Sequence, residues 1–244
     1  LILINKVGLG DCIIHINYIH EISKKYGKPV SILAKDNTRA KDLFLDDPHI
    51  DEVITLDRLT DSSGSHDGLS GFFKLANDIK EKKFDKVFIF NSSLRYFLIC
   101  KFAGIKKIAQ YPLFKKKGQH VVNTAKIFTE NELNKIVSTQ PKLIISEDKI
   151  LKARKDVSQS HKNIVLAPSA SGRTKRWSIK NFIKLIEKIN EKHPSKFYLA
   201  AGKNDQQLID EILNSNIGSN CISLNNLKIN EMMPIIANCN LYCG

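Results

Sequence analysis

The chain has 244 residues, of which 42% are hydrophobic and 26% charged, a composition that excludes an intrinsically disordered protein. Its apolar runs fall short of the ~20 residues that span a membrane, and five cysteines without a CxxC pair indicate buried free thiols rather than a disulfide framework. The formal net charge of +13 is concentrated in residues 101–200, which hold 22 basic and 7 acidic residues, and it predicts an anionic partner such as nucleic acid, anionic lipid or a phosphorylated sugar.

The first half of the sequence alternates short apolar runs with amphipathic segments. Strands are predicted near residues 1–5, 29–34, 52–56, 86–91 and 107–110, and helices near 11–26, 38–45, 69–82, 93–103 and 119–130. The segment 57–71 is rich in Ser, Gly and Asp, which predicts a mobile loop. Alternating strands and helices predict a parallel sheet with right-handed crossovers.

The second half repeats this plan after a charged, polar run at 146–162 that we interpret as a linker. Strands are predicted near residues 163–167, 196–201, 220–224 and 240–243, and helices near 179–191, 205–214 and 230–238. We therefore expect two α/β domains, over residues 1–150 and 151–244. Because the sequence starts in a strand without Met and stops after the last strand, we expect a fragment whose second domain is incomplete.

One loop in the second half has the composition of a phosphate site. Residues 167–178 contain small residues and three cations, between an apolar run and a segment with one apolar helical face that Ser178 is placed to cap. Small residues let a ligand approach the backbone, while helix-start N–H groups and cations attract an anion. The alternative is an ordinary strand-to-helix connection with solvated cations. In either case we expect Trp177 in the core.

A second strand–loop–helix start lies at the beginning of the chain. The apolar run 1–4 leads into the glycine-rich turn 5–11, which lacks a complete GxGxxG motif and so disfavours a nicotinamide cofactor. Asp11 lies where the helix begins, at the carboxyl end of the strand, where ligands of open α/β sheets bind. Its carboxylate is either a helix cap or a base that takes the proton from an attacking sugar hydroxyl.

Several short motifs follow one another in a defined order. They are Val7-Gly8-Leu9-Gly10-Asp11, residues 84–95, Ala103-Gly104-Ile105, His120 ahead of an apolar helix, Pro168-Ser169-Ala170, Lys175-Arg176-Trp177 and residues 199–205. By their order and spacing, the sequence resembles the bacterial heptosyltransferases of glycosyltransferase family 9 over the length of the chain.

This resemblance implies a fold and a reaction. The fold is α/β and GT-B-like, with two Rossmann-like domains whose parallel sheets face a cleft, residues 1–150 on the acceptor side and 151–244 on the donor side. The reaction is an inverting, metal-independent transfer of heptose from a nucleotide-heptose to a lipopolysaccharide core or related surface glycan. The expected donor is ADP-heptose. The setting is a cytoplasmic monomer in peripheral contact with the inner face of the inner membrane, acting on an anionic lipid-linked saccharide.

The resemblance also assigns roles to residues. Asp11 matches the family's base, and Lys175 matches the lysine that stabilises the departing diphosphate. The predicted donor-binding residues are Ser169, Ala170, Ser171 and Lys175, and the predicted acceptor-binding residues are Gly10, Arg95, Lys115, Lys116, Lys117 and His120. We expect neither a cofactor nor a metal site, because the sequence has no HExxH or DxD motif and no Cys/His cluster with ligand spacing.

Two other functions stay open from the sequence. A protein of the same fold could bind a nucleotide-sugar or an anionic glycan without turning it over. A basic nucleic-acid-binding protein is disfavoured, because the basic region has few interleaved aromatic residues and no recognised nucleic-acid motif.

Overall fold

The computed structural model describes residues 1–4, 8–113, 120–170 and 172–244, apart from the side chains of Arg173 and Lys203. The chain divides into two compact units, Leu1–Ile144 and Ile145–Gly244, each with a parallel sheet. Among the described residues, no helix combines the length and the apolar character needed to cross a bilayer.

The first unit is built on a five-stranded parallel sheet with strand order β3-β2-β1-β4-β5. Its strands are β1 (Ile2–Ile4), β2 (Val30–Ala34), β3 (Ile50–Thr55), β4 (Lys86–Ile89) and β5 (Lys107–Gln110). Leu3 of the central strand pairs with Leu33 on one side and with Ile89 on the other, and all three are fully buried. Strands buried on both faces read as continuous apolar runs, which is why they are visible in the sequence.

Helices connect these strands. They are α1 (Leu9–Tyr26), α2 (Ala40–Leu43), α3 (Gly68–Glu81), α4 (Leu94–Phe102) and α5 (Val121–Leu133). The inner faces of α3 and α4, represented by Leu75 and Ile99, form one hydrophobic core with Leu3 and Leu33 of the sheet.

The second unit has a four-stranded parallel sheet with strand order β8-β7-β6-β9. Its elements are α6 (Glu147–Ala153), β6 (Lys162–Leu166), α7 (Ile179–Lys192), β7 (Ser195–Leu199), α8 (Gln206–Leu213), β8 (Cys221–Ser223), α9 (Ile229–Ala237) and β9 (Leu241–Cys243). The predicted α/β fold with parallel sheets is confirmed in both halves of the chain.

The run at 146–162 is not simply a linker. Residues 147–153 form α6, whose carbonyl at Ile150 accepts a 2.8 Å hydrogen bond from Asn238 Nδ2 after α9. Ala153 and Val157 are buried in a core cluster with Tyr198. The linker interpretation was wrong because a few apolar residues, spaced for one face, are outnumbered here by charged ones.

The predicted mobile loop at 57–71 is held together by hydrogen bonds and ends in the first turn of α3. Asp67 accepts from Arg58 Nε at 2.8 Å and from the N–H groups of Leu59 and Gly64 at 3.0 and 3.1 Å. The bond from Arg58 holds the pKa of the Asp67 carboxyl below its usual range. The Ser, Gly and Asp residues of this segment therefore form hydrogen-bonded turns.

Candidate functional site

The start of α1 brings Asp11 to the carboxyl end of β1. Gly8 is the N-cap with φ of 122°, a conformation that favours glycine, and within the described residues no side chain caps this helix. Asp11 is the third helical residue, and its Oδ2 lies 3.8 Å from the position that a Cβ on Gly8 would occupy. The geometry therefore disagrees with the interpretation of Asp11 as the helix cap.

Asp11 lies between the exposed Gly10 and the buried Cys12. Burial, together with the Asp11 charge, raises the pKa of the adjacent Cys12 thiol to about 12, so this cysteine stays protonated. Gly10 is exposed, and a Cβ added to it would meet nothing within 4 Å among the described residues. Asn5, Lys6 and Val7 of the predicted motif lie outside the described residues.

A buried histidine supports the first turn of α1 from below. The His15 Nδ1 atom lies 2.6 Å from the Asp11 carbonyl oxygen, and the His15 ring packs edge-on against Phe90 at a centroid distance of 5.0 Å. This contact fixes the backbone that carries the Asp11 side chain. His15 was not predicted from the sequence, although its position four residues after Asp11 places it one turn further along the same helix face.

The loop between β6 and α7 brings Lys175 to the carboxyl edge of the second sheet. Pro168 is buried, while Ser169 and Ala170 are partly buried beyond the end of β6. Residues 173–175 form a 3₁₀ turn, and the N–H of Lys175 donates to the Gly172 carbonyl at 2.9 Å. The Lys175 side chain is exposed, and it forms no ion pair with any residue that the structure describes. Ser171, a predicted donor-binding residue, lies outside the described part of the chain.

The neighbouring arginine is engaged within the protein. Arg176 Nε donates to the Ala170 carbonyl at 2.9 Å, and its Nη2 donates to Asp205 Oδ1 at 3.1 Å. Asp205 follows β7, so this ion pair joins the loops after two adjacent parallel strands. Of these two cations, Arg176 shapes the loop and Lys175 is left to meet an anion.

The two residues before α7 anchor its first turn. Ser178 is the N-cap and accepts a hydrogen bond from the N–H of Asn181 at 3.3 Å, so that prediction is confirmed. The placement of Trp177 in the core was wrong, because it is 50% exposed. Its ring packs edge-on against Phe182 with centroids 5.0 Å apart. An apolar residue before the cap that packs against the fourth helical residue is a hydrophobic staple, which fixes the direction of chain entry.

Two predicted acceptor-binding residues hold the backbone of the first unit. Arg95 Nη2 donates to the carbonyls of His66 and Gly68 at 2.9 and 2.8 Å, and the guanidinium lies 5.5 Å from the centre of the Phe72 ring. His120 is the N-cap of α5, and its Nδ1 accepts from the N–H of Val122 at 3.4 Å. Their acceptor roles stay predictions. The basic turn Lys115, Lys116 and Lys117 lies outside the described residues.

The loop after β8 contributes a residue that the sequence analysis missed. Asn225 is 2% exposed and donates through Nδ2 to Gln206 Oε1 at 2.5 Å. Its Oδ1 is buried and has no hydrogen-bond partner in the described part of the chain. Buried acceptors without partners are rare and costly, so Asn225 joins the candidate ligand contacts of this sheet edge.

A His–Asp–His cluster lies away from these loops. His20 Nε2 is 2.6 Å from Asp47 Oδ2, His49 Nδ1 is 3.1 Å from Asp47 Oδ1, and both Asp47 and His49 precede β3 at the amino edge of the sheet. Burial alone would raise the pKa of the Asp47 carboxyl, but hydrogen bonds from His20 and His49 outweigh burial and lower it. Two imidazoles and a carboxylate form a donor set that transition metals accept. The two imidazole rings stack with their centroids 4.5 Å apart at an angle of 28°. Each ring directs one nitrogen to a different oxygen of the Asp47 carboxylate.

Comparison with known proteins places these units in a family. The model of glycosyltransferase family 9 (heptosyltransferase) matches residues 110–244. The chain is similar in structure to the E. coli ADP-heptose LPS heptosyltransferase II, with 17% identity and a TM-score of 0.72 over 99% of this chain and 77% of that one. It is similar to a family 9 glycosyl transferase from Veillonella parvula DSM 2008, with 17% identity and a TM-score of 0.78 over 99% and 74% of the two chains. It is also similar to the E. coli heptosyltransferase WaaC with ADP, with 11% identity and a TM-score of 0.68 over 99% and 80%. No curated protein matches the chain by sequence.

These likenesses define the fold as α/β and GT-B-like. Because the family model covers more than half of the sequence, the chain belongs to glycosyltransferase family 9, the heptosyltransferase family, and is a glycosyltransferase. The resemblance drawn from the sequence motifs is thereby confirmed.

Proposed function

We propose that this enzyme transfers heptose from ADP-heptose to a lipopolysaccharide core or a related surface glycan, with inversion at the anomeric carbon and without a metal ion or other cofactor. The proposal is supported by the solved structures to which the chain is similar, two of which are an ADP-heptose LPS heptosyltransferase and a heptosyltransferase with ADP. The acceptor would be an anionic, lipid-linked saccharide, in keeping with the net charge of +13.

The observation that carries the proposal is the position of Lys175. This exposed cation follows a parallel strand, in a loop of small residues ahead of α7, and no described residue pairs with it. A diphosphate leaving group gains negative charge as its bond to the sugar breaks, and a fixed ammonium stabilises that charge most strongly in the transition state. We propose that Lys175 fills this role, that Ser169 and Ala170 line the donor site beside it, and that Ser171 does so as well.

On the acceptor side, we propose that Asp11 is the base. An acceptor hydroxyl oxygen attacks the anomeric carbon, the bond from that carbon to the diphosphate oxygen breaks, and ADP leaves with the bonding electron pair. Asp11 takes the proton of the hydroxyl, so charge and atoms balance. We propose that Gly10, the residue before Asp11, lines the acceptor site, because among the described residues nothing lies within 4 Å of where its Cβ would be.

Transfer is tested by incubating the enzyme with ADP-heptose and heptose-deficient lipopolysaccharide, with ADP release and the mass of the saccharide as readouts. We expect ADP release that requires the acceptor, a product heavier by one heptose, and an unchanged rate in EDTA. Binding of ADP-heptose without release of ADP, even with the acceptor present, would contradict the proposal. That result would favour a nucleotide-sugar-binding protein of the same fold. A rate abolished by EDTA and restored by a divalent cation would contradict metal independence.

A further inference from the structure

A chain of hydrogen bonds at the carboxyl edge of the second sheet fixes the side chain of Asn225. Gln206, the first residue of α8, donates through Nε2 to Asp210 Oδ1 at 2.8 Å and accepts through Oε1 from Asn225 Nδ2 at 2.5 Å. Because an ionised carboxylate only accepts hydrogen bonds, Asp210 determines which end of the Gln206 amide faces Asn225. Asn225 therefore turns its Nδ2 toward Gln206 and its Oδ1 away from it.

The backbone of Asn225 is fixed as well. The N–H of Leu227 donates to the Leu224 carbonyl at 3.0 Å and closes a turn that contains Asn225. The N–H of Asn225 donates to Ser223 Oγ at 3.2 Å, and Leu224 is buried in the core. The Asn225 amide is thus held in one orientation from both its backbone and its side chain.

This arrangement leaves one acceptor over. The Asn225 Oδ1 atom is buried and has no hydrogen-bond partner among the residues that the structure describes. Gln206 and Asn226, beside Asn225, are exposed, so the amide lies just beneath the surface of the sheet edge. A buried acceptor without a donor is costly for the free protein, and a ligand N–H or O–H placed there removes that cost. We therefore expect a donor group of a ligand at Asn225.

The order of the strands relates Asn225 to the proposed diphosphate site. The loop with Lys175 follows β6, Asp205 follows β7 and Asn225 follows β8, and these three strands are neighbours in the order β8-β7-β6. Neighbouring strands lie about 4.8 Å apart, so the ends of β6 and β8 are roughly 10 Å apart. In a nucleoside diphosphate, the ribose likewise separates the diphosphate from the base. A nucleotide whose diphosphate lies at Lys175 and which extends toward β8 brings its base to Asn225.

We propose that Asn225 Oδ1 accepts a hydrogen bond from the exocyclic amino group of the donor's base and thereby selects adenine over an oxopurine. The proposal rests on the proposed function, in which ADP-heptose is the donor. An oxo group in the place of the amino group would set two acceptors against each other. Asn225 cannot turn its amide to relieve this, because Gln206 offers it only an acceptor. Asn225 is therefore a specificity-determining residue, and Gln206 and Asp210 are positioning residues.

The test compares ADP with inosine diphosphate in calorimetric titrations. The two nucleotides share the ribose and the diphosphate, but hypoxanthine carries an oxo group where adenine carries its amino group. We expect the unchanged enzyme to bind ADP at least about tenfold more tightly than inosine diphosphate. Asn225→Leu keeps the approximate shape of the side chain without the acceptor. It should weaken ADP binding about tenfold without weakening that of inosine diphosphate, so the preference is lost.

A second variant tests the orientation of the amide without touching Asn225. Asp210 is exposed, so Asp210→Ala leaves the core intact but frees Gln206 to turn its Nε2 toward Asn225. Asn225 can then present its own Nδ2 to an oxo group, and we expect the preference for ADP to fall at least about threefold. Glu211→Ala removes the next acidic residue of α8, which is also exposed, and should keep the full preference. Circular dichroism melting confirms that every variant is folded.

Three results would overturn the proposal. They are equal affinities for ADP and inosine diphosphate in the unchanged enzyme, a full preference for ADP in Asn225→Leu, and an equal loss of preference in Asp210→Ala and Glu211→Ala. Each of them leaves a nucleotide donor in place. Conversely, a clear preference for ADP without heptose transfer to lipopolysaccharide would contradict the proposed function and leave base recognition intact. The two proposals can therefore fail separately.

Discussion

The starts of α1 and α7 occupy equivalent positions in the two units, since each follows a central parallel strand, but they are built differently. At α1, a glycine in a left-handed conformation begins the helix and Asp11 lies in its first turn without serving as the cap. At α7, Ser178 caps the helix and Trp177 staples it, while Lys175 stands exposed in the preceding loop. One strand–loop–helix plan thus presents an anion in the first unit and a cation in the second.

This difference follows the chemistry proposed for each unit. A base must accept a proton, so a carboxylate without a capping bond is suited to the acceptor side. A departing diphosphate needs positive charge. Lys175 can supply it because it forms no ion pair with a described residue, whereas Arg176 is paired with Asp205. Among the described cations at the carboxyl edges, Arg95 and Arg176 hold the backbone of their loops, whereas Lys175 forms no ion pair with a described residue.

The largest expected effect is the loss of turnover when the Asp11 carboxylate is removed. Asp11→Asn should lower kcat by about 10²–10⁴, since it removes general-base catalysis. Stability should change by less than about 1 kcal/mol, because only an interaction with the helix dipole is lost. Stopped-assay kinetics and thermal melting measure the two quantities. Asp36→Asn, in the loop after β2, is the control. Turnover near that of the unchanged enzyme would remove Asp11 from the chemistry.

The next largest effect is expected at the Lys175 ammonium. Lys175→Ala should lower kcat by about 10²–10³, as is usual when one preorganised charge stabiliser is lost. Lys180→Ala, an exposed lysine on α7 itself, controls for general charge and should have little effect. Initial rates of ADP release at saturating acceptor provide the measurement. Equal losses in the two variants would mean that the overall basic charge matters rather than the position of Lys175.

A substitution in the His20, Asp47 and His49 cluster, at the amino edge of the first sheet, should lower stability without lowering turnover. Asp47→Ala leaves the buried His20 without its partner and should reduce the free energy of unfolding by about 2–3 kcal/mol. Because the folded pKa of Asp47 is lowered, its contribution is present above about pH 4 and is lost as the pH falls through the folded pKa. Urea unfolding at neutral and acid pH measures this. A rate per folded molecule that fell as for Asp11→Asn would tie the cluster to catalysis instead.

The smallest effect compares the two helix starts directly. Ser178→Ala should destabilise the second unit by about 1 kcal/mol because a capping hydrogen bond is lost. Asp11→Ala should cost the first unit less than that, since Asp11 caps nothing that the structure describes. Denaturant midpoints of the two variants give the comparison, and a larger loss for Asp11→Ala would restore it as a cap.

Local patterns made much of this predictable from the sequence. The parallel strands are short apolar runs, and Ser178 precedes an apolar helical stripe, so both could be found from spacing alone. Contacts between distant residues could not be found that way. Asp205 lies 29 residues from Arg176, and Asp47 lies 27 residues from His20, so only the folded chain pairs them.

Two predictions were wrong because residue type alone was used to infer where a segment lies in the fold. Trp177 was assigned to the core because large apolar residues are usually buried, yet it closes the outside of the first turn of α7. Residues 147–153 were assigned to a linker because charged side chains dominate there, although α6 buries Ala153. The family resemblance supplied the roles of Asp11 and Lys175, which no periodicity encodes.

The central claim, that Lys175 holds the donor diphosphate, is tested most directly by calorimetric titration of ADP. The titration compares the unchanged enzyme with Lys175→Ala and with Lys184→Ala, which removes another lysine of α7. We predict that Lys175→Ala weakens ADP binding about tenfold or more, as expected for the loss of one charge-assisted contact, and that Lys184→Ala leaves it unchanged. Equal ADP affinity in all three proteins would contradict the account.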